Sequence, residues 1–194
     1  MIQKKNITGI ILAGGKSSRM ATDKGFLLLN GKPFVQYSID ALKPLVSEIM
    51  IVSDNQDYDI FGLKRINDIT KNAGPVAGIY SGLEASSNEY NLILSCDIPL
   101  ISSEILQQLI DNIDNESQII QVESQGKSMP LIALYKKELA STFDTFLKNE
   151  ERRLRIVIKS CKSKNIILEK EHEFSTMNVN TQNELKALKN AYNH

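Results

Sequence analysis

Two glycines and three cations stand close together near the start of the chain, in Leu12-Ala13-Gly14-Gly15-Lys16-Ser17-Ser18-Arg19, with Asp23-Lys24 shortly after. Paired glycines let successive backbone N–H groups approach a ligand and form an anion-binding concavity. Lys16, Arg19 and Lys24 add positive charge to the same place, arginine as a bidentate fork and lysine as a point charge. The ligand this chemistry suits is a polyphosphate. Farther along, Asp97 follows the apolar run 90–95. A carboxylate at the carboxyl end of a buried strand can hold magnesium among the phosphates of a nucleotide. A turn or cap aspartate would look the same in sequence.

Two common phosphate motifs are excluded. The P-loop spacing, counted back from Gly15-Lys16-Ser17, puts Ile10 where glycine is required, and the dinucleotide fingerprint GxGxxG is absent here. Cys96 and Cys161 show no CxxC spacing and no metal-ligand cluster, which fits a reduced, cytoplasmic setting. His172 and His194 are the only histidines, and neither is assigned a catalytic role.

The elements that must position these residues alternate. The mostly apolar runs at 10–13, 48–52 and 90–95 and the short segment 63–66 read as strands, and 34–45, 74–87 and 103–113 read as helices, with Pro75 suited to a helix first turn. Polar residues follow each strand (Gly14, Ser53-Asp54-Asn55, Asn67-Asp68, Asp97), at the edge where open parallel sheets bind ligands. The expected architecture is a three-layer α/β/α, Rossmann-like fold with a mostly parallel sheet. In the second half, 118–123 and 129–135 read as strands around the turn 124–127, an antiparallel addition to that sheet. Helices are expected at 137–148 and 152–160, a strand at 166–168, and a terminal helix at 181–192 with Thr181 and Glu184 as its capping box.

Length and composition bound the rest. A chain of 194 residues, 42% hydrophobic and with no Pro/Gly/Ser-rich linker, is expected to form one domain over 1–194, with a nucleotide-binding half to about residue 115 and a second-substrate half beyond it. Acidic and basic residues balance at 23 each, so nucleic acid and anionic membrane are not expected partners. The N-terminal apolar run is too short for a signal segment or a membrane span.

Leu12-Ala13-Gly14-Gly15, Arg19-Met20 and Asp23-Lys24 resemble the signature of nucleotidyltransferases that activate sugars and related phosphates. The chain as a whole is similar to the molybdopterin guanylyltransferases. Gly74-Pro75-Val76-Ala77-Gly78, Cys96-Asp97-Ile98-Pro99, Glu151-Arg152-Arg153 and the pair Asn178 and Asn180 match further segments of that family. The resemblance implies transfer of GMP from GTP to the phosphate of molybdenum-loaded molybdopterin, with release of pyrophosphate. It implies nucleotide contacts at Leu12, Ala13, Gly14, Gly15, Lys24, Ser53, Asn55, Asp68, Gly74, Gly78 and Asp97. Arg19, Lys24 and Asp97 would act in catalysis, and Asp97 would hold magnesium. Arg19, Arg153, Asn178 and Asn180 would hold the pterin substrate, and transient contact with molybdenum-insertion or molybdoenzyme-maturation proteins would follow.

The chain departs from the family at two places. Ala21-Thr22 stands where glycine usually follows Arg-Met, and Met129-Pro130 stands where many relatives have His-Pro. Other readings remain open at this point: cytidylyl transfer to molybdopterin, nucleotidyl transfer to a sugar phosphate, or a non-catalytic GTP-binding module.

Overall fold

The computed structural model describes residues 6–14, 23–70 and 73–192. At its centre is β1 (Ile7–Leu12), buried along its whole length. Its side chains alternate: Ile7 and Ile11 enter one core layer, Ile10 and Leu12 the other. That is the period of two a strand imposes, and a strand buried at every position must be covered on both faces.

Strands β4 (Glu48–Val52) and β6 (Tyr90–Ser95) flank β1 in parallel, and β5 (Lys64–Ile66) extends the sheet beyond β4. On the other side β8 (Lys127–Lys136) pairs antiparallel with both β6 and β7 (Ile119–Ser124), and β9 (Ser163–Ile167) closes the edge parallel to β7. The order is β5-β4-β1-β6-β8-β7-β9, mostly parallel with the antiparallel addition expected of the second half. A separate hairpin joins β2 (Leu28–Leu29) to β3 (Lys32–Pro33) through Asn30 and Gly31, both with positive φ, the two-residue turn whose twist suits a hairpin.

Helices cover both faces. Residues of α1 (Phe34–Leu42) and α3 (Ser103–Asp111) enter the layer with Ile7 and Ile11. Those of α2 (Gly74–Ala85), α4 (Ala140–Lys148) and α5 (Leu154–Lys159) enter the layer with Ile10 and Leu12. The Ser102 hydroxyl caps α3 by accepting from the Ile105 amide at 3.3 Å. Helix α2 lies close to β1 because of Gly82, where a Cβ would stand 2.6 Å from Ile10 Cγ2. Close seating also brings the first turn of α2 to the carboxyl end of β1.

A third, smaller core seats the terminal helix α6 (Gln182–Tyr192). Leu185 and Leu188 of α6 and Val179 before it pack with Leu27, Leu29 and Phe34. The chain's last helix therefore rests on the segment immediately after Lys24.

The sequence reading differs from the structure in three irregular pieces. The 3-10 turns Gln56–Phe61 and Lys170–Thr176 have no hydrophobic period long enough to show. Strand β9 begins earlier than the apolar triplet at 166–168, since an edge strand carries polar residues such as Lys164 and Asn165. Among the described residues, no helix is long and apolar enough to cross a membrane.

Candidate active site

The carboxyl ends of β1, β4, β5 and β6 open into a cleft of about 720 Å³. Its walls include Leu12, Ala13, Gly14, Ser53, Asn55, Asp68, Gly74, Gly78 and Asp97, nine of the positions expected from sequence, together with Asp23, Asp54 and Ser95. The main-chain ladder runs on to the rim: the amide of Ala13 donates to Val52 O at 3.0 Å, that of Cys96 to Leu12 O at 3.1 Å and that of Ser53 to Ile66 O at 2.9 Å. The rim is thus as rigid as the sheet. Gly15 and Arg19 lie outside the described residues, as do Lys16 and Ala21.

Asp97 lines this cleft and Lys24, which does not, is in direct contact with it. The Lys24 ammonium donates to Asp97 Oδ2 at 3.0 Å and to Asn180 Oδ1 at 2.5 Å, which joins the first third of the chain to its end. Asp97 is 7% exposed, and its other oxygen accepts from Ser95 Oγ at 2.6 Å. Its main-chain carbonyl accepts from the Val179 amide at 2.9 Å. A carboxylate so fixed, with a cation already on one oxygen, is a built cation-binding group. Among the described residues no cluster of three or more His, Cys, Asp or Glu forms a metal cage. A single carboxylate suits a hard cation that takes its remaining oxygens from phosphate and water.

The approach of Lys24 is set by the residue before it. Asp23 accepts from the Gly25 amide (3.1 Å), from the Tyr58 hydroxyl (2.5 Å) and from Asn55 Nδ2 (3.1 Å). Tyr58 is fully buried, and a Cβ on Gly25 would overlap its hydroxyl. Asn55 also caps the 3-10 turn by accepting from the Asp57 amide, so both ends of its side chain are engaged.

Asp68 sits on the opposite wall, near Gly14 and Gly78, where added Cβ atoms would lie 3.5 and 3.7 Å from its carboxylate oxygens. Burial, reinforced by the neighbouring Asp54 carboxylate, pushes its carboxyl up to about 6. Among the described residues Asp68 Oδ1 is buried without a hydrogen-bond partner, an acceptor left unsatisfied by the protein groups described.

A second cavity of about 510 Å³ adjoins the first, with Leu131 in the wall of both. It is bounded by the β7–β8 hairpin (Ser124, Lys127, Met129, Pro130), by Leu154 and Arg155, and by Phe174, Met177 and Asn178. Among the described residues Asn178 Oδ1 is a second buried acceptor without a partner. Asn180, which like Lys24 lines neither cavity, is joined through Lys24 to Asp97 of the first and stands two residues from Asn178 of the second. Arg153 is placed differently. Its Nε and Nη2 grip Glu151 at 2.9 and 2.6 Å, and it is not among the residues lining either cavity. That grip holds the Glu151 carboxyl down to about 2.

Sequence reasoning missed the Asp23–Tyr58 contact, Ser95, and the hairpin wall of the second cavity. Ser95 had a local signal, two residues before Asp97, where a strand turns. Tyr58 had none, since it reaches Asp23 across 35 positions.

The model of the MobA-like NTP transferase domain matches residues 9–165. A probable molybdenum cofactor guanylyltransferase of Flavobacterium johnsoniae is 36% identical over 184 residues, 95% of this chain and 97% of that protein. The molybdenum cofactor guanylyltransferase of Yersinia pseudotuberculosis is 35% identical over 165 residues, 83% and 84% of the two chains. The solved molybdopterin-guanine dinucleotide biosynthesis protein A of Archaeoglobus fulgidus superposes with a TM-score of 0.81 at 19% identity, over 96% of this chain and 98% of that one, a likeness of fold. The chain belongs to the MobA-like NTP transferase family.

Proposed function

We propose that this MobA-like NTP transferase transfers GMP from GTP to the terminal phosphate of molybdenum-loaded molybdopterin and releases pyrophosphate. The observation that carries this reading is the link between the two cavities. One ammonium, Lys24, bridges the carboxylate of the first cavity and the amide of the segment that bounds the second. Two substrates seated in the two cavities would meet there. The names of the relatives, molybdenum cofactor guanylyltransferases at 35–36% identity, support the choice of substrates.

In this reading Gly14, Gly74 and Gly78 admit the nucleotide closely, and Asp68 accepts from its donor groups. Asp97 would hold magnesium, which supplies charge neutralisation at the reacting phosphates. Lys24, beside Asp97, would stabilise the charge that builds on the α-phosphate during in-line attack. Arg19 would add a second cation. The attacking phosphate monoester is ionised at neutral pH, its second pKa being about 6, so no general base is required. Asn178 and Asn180 would present amide groups to the pterin edge, which offers both donors and acceptors. Catalysis is then alignment and preorganised charge.

The test is magnesium-dependent pyrophosphate release with each of the four nucleoside triphosphates, with and without metal-loaded molybdopterin. Release with GTP alone, and only with the pterin, is expected. Preference for CTP redirects the reading to cytidylyl transfer, and GTP binding without release makes the chain a non-catalytic module.

A further inference from the structure

We propose that Glu184, on the terminal helix, is a positioning residue for Lys24, acting through Asn180. The inference rests on the nucleotidyl-transfer reading for its consequence in turnover, but its geometry is independent of the substrates. A single oxygen, Glu184 Oε2, accepts from the amides of both Asn180 (2.6 Å) and Thr181 (2.9 Å). The Thr181 hydroxyl in turn accepts from the Glu184 amide at 3.2 Å. The Glu184–Thr181 exchange is an ordinary capping box. The bond to Asn180 is additional: it reaches one residue farther out of the helix and fixes the residue whose amide oxygen holds the Lys24 ammonium.

Two further contacts show that the segment is held as a unit. The Val179 amide donates to the carbonyl of Asp97, so the backbone on one side of Asn180 is tied to the proposed metal-binding residue. Val179, Leu185 and Leu188 are buried against Leu27 and Leu29, just after Lys24. The two amides donating to Glu184, that of Asn180 foremost, hold its carboxyl below the usual range, as expected of a carboxylate engaged in charge-assisted bonds. A lysine has a flexible four-carbon stem and needs outside restraint to keep a fixed position. Asp97 supplies one restraint, and Asn180, itself held by Glu184, supplies the second.

The experiment compares Glu184→Ala, Glu184→Gln and Thr181→Ala in the full chain. Two quantities are read besides thermal stability: the rate of Lys24 acetylation by acetic anhydride, followed by mass spectrometry, and kcat and KM for GTP in pyrophosphate release. Glu184→Ala should raise the Lys24 labelling rate about fivefold and lower kcat about tenfold, with KM for GTP changed less than twofold, as for an interaction made only in the transition state. Glu184→Gln should restore both, because its carbonyl oxygen can accept the same two amides without the charge. Thr181→Ala should lose a comparable amount of thermal stability through the lost cap, with labelling and kcat as in the unaltered chain. Equal changes in Thr181→Ala and Glu184→Ala would reduce Glu184 to a helix cap and overturn the proposal, as would unchanged Lys24 labelling in Glu184→Ala. Failure of Glu184→Gln to restore labelling would overturn the route through Asn180 and make Glu184 a counter-charge. Absence of pyrophosphate release from the unaltered chain would sink the proposed function alone, since labelling still decides the positioning.

Discussion

The two cavities share a wall at Leu131 but are made in different ways. The first lies at the carboxyl ends of β1, β4, β5 and β6, and its polar groups Ser53, Asp54, Asp68, Ser95 and Asp97 stand within two residues of a strand end, so the sheet core fixes them directly. The second is assembled from a hairpin, the start of α5 and the segment before α6, pieces held to one another by long-range contacts. The first is a rim of the hydrophobic core, and the second is a joint between surface segments. Substitutions in the first should therefore damage chemistry with little change in shape. Those in the second should change selectivity for one substrate.

The largest effect expected is at Asp97. Replacing it with Asn keeps size and burial but removes the charge that would hold magnesium, and kcat should fall on the order of a thousandfold. Pyrophosphate release measures this, and near-normal turnover would remove Asp97 from the chemistry. Asn178→Ala tests the other cavity. Loss of a buried acceptor with no partner among the described residues should raise KM for the pterin substrate about tenfold, equivalent to about 1.4 kcal/mol, and leave the GTP dissociation constant unchanged. If both substrates weaken equally, the two cavities are not separate sites.

This contrast also explains what could be read in the chain. β1, β4 and β6 are short, mostly apolar runs followed closely by their functional residues, so Gly14, Ser53 and Asp97 carry their position in their neighbours, while Asp68 follows the short, charged β5. The antiparallel pair follows from the same patterns and from the turn at Gln125-Gly126, both with positive φ, whereas the strand order is visible only in the fold. Nothing local announces that Asn180 meets Lys24, since 156 positions separate them. The Tyr58–Asp23 bond was hidden for the same reason, and a tyrosine in a 3-10 turn reads as ordinary packing. Arg153 shows the opposite case. Its place in the family pattern is legible, but its neighbour Glu151 decides where its guanidinium goes.

Asp68 is a place where the rigid cavity carries a cost. Its carboxyl ionises near 4 in an unfolded chain and near 6 in the fold. As pH rises through that window the unfolded state gives up its proton first, so folding stability falls and the full deficit is present above about pH 6. Asp68→Asn should raise Tm on the order of 3 °C at pH 7 and leave it unchanged near pH 4, as read by thermal melts. The same variant should bind GTP several-fold more weakly, because a carboxylate accepting from the nucleoside is lost. In the unaltered chain GTP affinity should decline as pH falls through 6. Stability gained without affinity lost would make Asp68 a strained structural group.

The smallest effects separate two arginines, and they bear on whether the second cavity changes on binding. Arg155 is exposed and borders that cavity, so Arg155→Ala should raise KM for the anionic pterin substrate about two- to fivefold, as expected for a solvent-screened charge. Arg153 is held by Glu151 through two bonds, and with that pair intact Arg153→Ala should change the same KM less than twofold. A larger effect at Arg153 than at Arg155 would mean that the guanidinium leaves Glu151 when the substrate arrives. Glu151→Gln would then lower KM by weakening the competing pair. If Glu151→Gln has no effect while Arg153→Ala does, the arginine acts through the start of α5, which it immediately precedes.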